Sequence, residues 1–142
     1  MSGTVVLRMR AVPENVALAR LALSGVAAIA GASLEELADL KLAVSEICTN
    51  AVVHAYGANR PGSVVIRYTV GDAVVTVEVE DTGVGFDPSA VEEPILAGVP
   101  DTDRVGSLGL HIARSVTDEL RVESGDAGSV VVFSKQLAPP AV

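Results

Sequence analysis

The spacing of apolar and polar residues changes several times along the chain, and each change marks an element. Thr4 to Val12, TVVLRMRAV, alternates weakly and predicts a first strand, stopped by Pro13. From Glu14 the apolar residues recur at helical spacing, in ENVALARLALSGVAAIAG, until Gly31 stops them. Ser33 followed by Glu36 makes a capping box, which predicts a long helix from about Leu34 to Tyr56, ended by Gly57. GSVVIRYTV and AVVTVEVED are β-rich runs joined by Gly71-Asp72, and predict a hairpin. From Asp81 to about Arg104 no period is sustained and Gly and Pro recur, as in a functional loop. GLHIARSVTDEL predicts a third helix, and LRVES with SVVVFSK a closing hairpin around GDAG.

The resulting order is β, α, α, β, β, loop, α, β, β. It suggests helices on one face of a mixed, mostly antiparallel sheet. Neither repeats nor linkers interrupt it, so residues 1–142 are expected to form one domain, with a frayed, disordered tail over about 137–142.

Composition narrows the class. Apolar residues make up 49% of the 142, which excludes a disordered chain. Aromatics are only 3% and Trp is absent, so the core must be built mainly from Val, Leu, Ile and Ala. A net charge of -8 argues against nucleic acid or an anionic membrane as partner, since both need clustered cations. Cys48 is the only cysteine, which rules out an internal disulfide or a cysteine-cluster metal site. Neither a signal-peptide pattern nor an uninterrupted apolar span of about 20 residues is present. The expectation is a soluble, cytoplasmic protein.

The predicted second helix contains SEICTNAVVHAY, with Glu46, Asn50 and His54 at four-residue intervals in an apolar run. On an α-helix this spacing makes one slowly drifting polar stripe. A carboxylate beside an amide suits a magnesium-nucleotide site, because magnesium keeps its waters and needs only one or two protein oxygens. Asn50 could supply such an oxygen, and Glu46 could take a proton from an attacking hydroxyl. An alternative has both side chains solvated or capping a loop, and a histidine near a helix end is usually structural.

Two further stretches carry weaker signals. In EDTGVGF the glycines at 83 and 85 leave room for a planar ligand or a phosphate, and Asp81 could accept from an exocyclic amino group; a plain turn is the alternative. In GSLGL, residues 106–110, a glycine-rich helix start would offer free N–H groups to phosphate. It is neither a Walker loop nor a dinucleotide fingerprint.

Taken in order, E-x-x-x-N-A-x-x-H, D-T-G-V-G-F and G-x-L-G-L resemble the motifs of the GHKL superfamily of ATPases and kinases. The small size and LKLAVSEICTNAVVHAYG look most like its anti-sigma-factor serine/threonine kinases, the RsbW/SpoIIAB type. The resemblance covers nearly the whole chain. It implies the Bergerat fold, an α+β two-layer sandwich, with ATP and Mg2+ as cofactors. It further implies Glu46 as catalytic base, Asn50 as magnesium ligand and Asp81 as reader of the adenine amino group. Gly83 and Gly85 would shape the pocket, Gly106, Ser107, Leu108 and Gly109 would wrap the phosphates, and the preceding loop would be the ATP lid. Ser129 falls where the family often has a threonine behind that aspartate.

There are two departures. Ser107 stands where family boxes usually have a glycine, and Val105 separates Arg104 from the box, where these kinases often place a phosphate-binding arginine. The resemblance implies a kinase that phosphorylates a STAS-type anti-anti-sigma protein, sequesters a sigma factor and forms a homodimer. The alternative is a nucleotide-dependent binding module of the same fold with weak or absent catalysis. A histidine-kinase catalytic domain is disfavoured because no phosphoacceptor helix pair lies upstream.

Overall fold

The computed structural model of the chain describes residues 2–55, 62–82, 102–125 and 128–139. The elements run β1 (Gly3–Arg10), a 3-10 turn (Pro13–Asn15), α1 (Val16–Ala30), α2 (Leu34–Asn50), and a π-helical turn (Ala51–Ala55). Then follow β2 (Ser63–Gly71), β3 (Val74–Asp81), α3 (Thr102–Ser115), β4 (Glu119–Gly125) and β5 (Gly128–Gln136). The strands form one sheet in the order β1-β2-β3-β5-β4, and its four pairings are all antiparallel.

Period-2 alternation decides which sheet face is covered. On β3 the residues Val75, Val77, Val79 and Asp81 are buried while Thr76, Glu78 and Glu80 are not. Their partners Val64, Ile66, Tyr68 and Val70 on β2 are buried with them. The three helices cover this face, with α2 between α1 and α3. Tyr68 and Phe133 are the largest fully buried side chains among the described residues, set among Val, Leu, Ile and Ala. The Tyr68 hydroxyl donates to the Ala19 carbonyl at 2.8 Å, so the ring ties β2 to α1 without leaving a polar group unpaired. On the other face Arg67 pairs with Glu78 and Glu80 at 2.7 and 2.8 Å, half-exposed contacts of small energetic weight.

Helix ends follow local chemistry. Gly31, at φ 84°, lets the chain turn left-handed after α1, and the Ala32 N–H bonds back to the Ala27 carbonyl at 3.0 Å. The capping box is complete: the Glu36 N–H donates to Ser33 Oγ at 3.1 Å and the Ser33 N–H to Glu36 Oε1 at 2.8 Å.

The structure differs from the sequence-based expectation at four places. The β2–β3 turn is Asp72-Ala73, both left-handed at φ 53° and 61°, rather than Gly71-Asp72. Pairing Val70 with Val75 keeps both side chains in the core, and a one-residue slip would turn the strand inside out. The α-winding of the second helix stops at Asn50 and continues as a π turn, so His54 no longer follows the α-helical spacing of Glu46 and Asn50. The third helix begins at Thr102, not at the glycine box, and ends at Ser115. It ends there because Ser115 and Thr117 hydroxyls bond back to Ile112 and Ala113 carbonyls, and the Asp118 N–H already reaches the Ser134 carbonyl of β5. Finally, the chain leaving β5 is tied down: Leu137 is buried with its N–H on the Ala73 carbonyl at 2.7 Å. The Ala138 N–H reaches Glu36 Oε2 at 2.8 Å.

Glu36 therefore clamps two ends at once, and the N–H of Ser33, then that of Ala138, holds its carboxyl below the ordinary 4.5. A value lowered in the folded state stabilises above the unfolded value, and this contribution is lost as pH falls through the folded one. Glu36→Gln keeps a capping side chain but removes the charge. It is expected to lower stability at neutral pH, because one amide oxygen cannot accept both N–H bonds, and to flatten the acid limb below 4.5, as read by thermal melting across pH.

Candidate functional site

The stripe on α2 borders α3. Asn50 is 6% exposed and Glu46 half-buried, while Ile47, Cys48 and Ala51 between and after them face the core. Burial pushes the Cys48 thiol up to about 12, so it is inert as a nucleophile in the folded chain. Against the stripe stands Gly109 of α3, itself buried. A Cβ placed on Gly109 would lie 2.8 Å from Glu46 Oε2 and 3.4 and 3.5 Å from Asn50 Oδ1 and Nδ2. The two polar side chains thus occupy the space that the glycine leaves open.

A second polar pair lies at the end of β3. Asp81 is the last residue of the strand's buried face and stands directly opposite Ser129 on β5. They are 5% and 3% exposed, and Ser129 Oγ donates to Asp81 Oδ2 at 2.6 Å. A buried carboxylate is stable only when its oxygens are paired, and the serine supplies one such bond. Asn50, Asp81 and Ser129 are the only buried polar side chains among the described residues, and they lie on the helix-covered side of the sheet.

Gly128 makes this arrangement possible and was not singled out by sequence, where it falls inside the GDAG connection. Its φ is 121°, and a Cβ there would overlap the Asp81 carbonyl oxygen and lie 2.7 Å from Thr82 Cα. Only the strand register, invisible in the sequence, reveals that β5 begins against the end of β3. Gly128→Ala is expected to cost about 2 kcal/mol or more, from strained backbone plus a clash that no side chain can relieve. Denaturant unfolding measures it.

The remaining candidates divide. Gly106, Ser107, Leu108 and Gly109 lie inside α3, not at its start. In a helix beginning at Thr102 their N–H groups are drawn into the i→i−4 ladder, and the free N–H groups belong to the first turn. Leu108 points outward, 43% exposed. Of Arg104, Gly106 and Ser107 only the backbone within α3 is described, and for His54 only the π turn. Gly83 and Gly85 lie outside the described residues, as does most of the predicted lid. A separate cleft of about 380 Å³ runs between Pro13, Glu14, Arg20, Thr49, Val52 and Val53, and none of the candidate site residues lines it.

The donor set fits a magnesium nucleotide. Glu46 and Asn50 offer hard oxygens side by side. Among the described residues no group of three or more His, Cys, Asp or Glu side chains converges as a protein-only metal cage would need. A metal held largely by phosphate and water asks for no more than this.

Comparison with known proteins gives a consistent picture. The model of the histidine kinase-like ATPase domain matches residues 9–135. The serine-protein kinase RsbW of Bacillus subtilis is 39% identical over 135 residues, covering 92% of this chain and 84% of the relative. RsbW of Listeria monocytogenes is 35% identical over 136 residues, covering 93% and 87%. Among solved structures, a Mycobacterium tuberculosis protein with RsbU and RsbW domains superposes with TM-score 0.72 at 23% identity, over 98% of this chain and 34% of that one. A blue-light activated histidine kinase domain from Erythrobacter litoralis gives 0.59 at 25% identity, over 88% and 64%. No helix among the described residues is long and apolar enough to cross a membrane.

Proposed function

Because the chain belongs to the histidine kinase-like ATPase domain family, we propose that it is an ATP-dependent serine/threonine-protein kinase. Its substrate would be a serine of a STAS-type anti-anti-sigma protein, and it would sequester a sigma factor, as a homodimer in the cytoplasm. The observation that carries this reading is the pairing of Glu46 with Asn50 on one face of α2, held against Gly109. A module that only bound nucleotide would have no use for the carboxylate.

Each residue then has a task. Asp81, oriented by Ser129, accepts from the adenine amino group. The Asn50 side-chain oxygen would hold Mg2+, whose charge would offset that of the phosphates. The Glu46 carboxylate would take the proton from the incoming serine hydroxyl as its oxygen bonds to the γ-phosphorus of ATP and the bond from that phosphorus to ADP breaks, releasing ADP. Bound Mg-ATP supplies the phosphoryl group and the charge neutralisation that phosphoryl transfer chiefly requires. The resemblance assigns Gly83 and Gly85, which lie outside the described residues, to the pocket, and Arg104 with Gly106, Ser107 and Leu108 to the phosphates. With Gly106 to Gly109 inside α3, the first turn of that helix is the part with N–H groups to offer.

The second reading, a binding module without transfer, draws on Ser107 in the glycine box. Incubation with radiolabelled Mg-ATP and a STAS-type protein separates the two. The kinase reading expects label on an acceptor serine, whereas ATP binding without label supports the module.

A further inference from the structure

Gly109 belongs to the glycine box, yet it lies within α3 and faces the polar stripe of α2. It sits inside a helix of 14 residues, where its N–H belongs to the ladder, and it is buried. Glycine at such a position is unfavourable for the helix, so close approach must require it. What it approaches is the site: Glu46 Oε2 stands 2.8 Å from where its Cβ would be, and both polar atoms of the Asn50 amide stand within 3.5 Å. Glycines on exposed element surfaces show the contrast, since a Cβ on Gly25 of α1 would meet nothing within 4 Å.

We propose that Gly109 is a positioning residue for phosphoryl transfer: the side chain it lacks is the space that holds the Glu46 carboxylate beside Asn50. The inference rests on the kinase reading for its catalytic consequence, but not for the geometry. A methyl group at 109 meets the far end of a flexible side chain, not backbone. The fold therefore yields at low cost, and the carboxylate is what moves. Displacing a base by about 1 Å can cost on the order of a hundredfold in rate. Neither Asp81 nor Ser129 is among the three nearest contacts of that methyl position. Alanine at 109 thus separates chemistry from base recognition, whereas a phosphate-wrapping glycine would lose both together.

The test compares wild type, Gly109→Ala and the control Gly25→Ala in the full chain. Three measurements apply: the side-chain carboxyl carbon resonances of 13C-glutamate-labelled protein, ATP affinity by calorimetry, and transfer from Mg-ATP to a STAS-type protein. Gly109→Ala is expected to shift the Glu46 resonance, identified by its absence in Glu46→Gln, while Gly25→Ala leaves it in place. It is expected to lower kcat by on the order of ten- to a hundredfold with ATP affinity retained. Glu46→Asp, one methylene shorter, should cost less in the Gly109→Ala background than in wild type. An unmoved Glu46 resonance overturns the proposal, as does a loss of ATP affinity that matches the loss of rate. If Gly109→Ala fails to fold, adding Glu46→Ala must restore folding; failure to do so is equally contradictory. A wild-type chain that binds ATP without transferring phosphate refutes the kinase reading alone, because the resonance still decides the position of the carboxylate.

Discussion

Asp81→Asn is expected to weaken ATP binding by roughly a hundredfold or more in a chain that still folds. The carboxylate closes the buried face of β3 and accepts from Ser129 Oγ at 2.6 Å. An asparagine is nearly isosteric, and its amide oxygen can accept the same serine bond, so β3 and β5 keep their register. What changes is the second atom. A carboxylate can only accept, while the amide presents N–H donors to an adenine amino group that is itself a donor. A buried polar mismatch of this kind costs about 1–3 kcal/mol, and more when a charge is involved, so the affinity should fall by roughly a hundredfold or further. Calorimetry measures the affinity, and the shift of the melting temperature by ATP provides an independent check. Ser129→Ala should act in the same direction with a smaller effect, because it loosens the carboxylate without changing what the carboxylate offers.

Glu46→Ala is expected to show the opposite pattern: ATP binding retained and phosphotransfer lost. Glu46 is half-buried and lies beside Gly109, and its removal leaves space and strands no partner charge among the described residues. Alanine is also the stronger helix former, so α2 should keep its stability. General-base catalysis contributes on the order of a hundred- to ten-thousandfold, and transfer to the acceptor serine should fall within that range. Single-turnover transfer at saturating Mg-ATP reads the loss without interference from binding. A parallel loss of ATP affinity would instead place Glu46 among the nucleotide-holding groups.

Much of this site was legible in the sequence because its signals are local. Ser33 and Glu36 announced the start of α2, and the 400° spacing of Glu46 and Asn50 put them on one face; both hold. Asp81 at the end of an alternating strand was equally visible, since period 2 turns it inward with Val77 and Val79. Features that depend on non-local geometry were not legible. The partner of Asp81 at 129 was placed by family resemblance, and its contact follows from strand register across 48 residues. Gly128 depends on the same register. Spacing made His54 look like a third member of the stripe, but the winding changes at Asn50, a switch that no local pattern encodes. The box was expected at a helix start, where glycine-rich N–H groups would face phosphate, but α3 begins at Thr102, and the closeness of α3 to α2 explains the second glycine. The hairpin turn slipped by one residue because Gly71 is the stronger local turn signal, while burial of Val70 against Val75 decides the register.

The central claim is an adenine-reading ATP site on the covered face of the sheet. Calorimetric titration of the wild-type chain with ATP and with GTP, both in Mg2+, tests it most directly. The account predicts one site per chain with a Kd in the micromolar range for ATP, and far weaker binding of GTP, whose guanine lacks the amino group Asp81 would accept from. Absence of heat with ATP, or equal affinity for the two nucleotides, would contradict it.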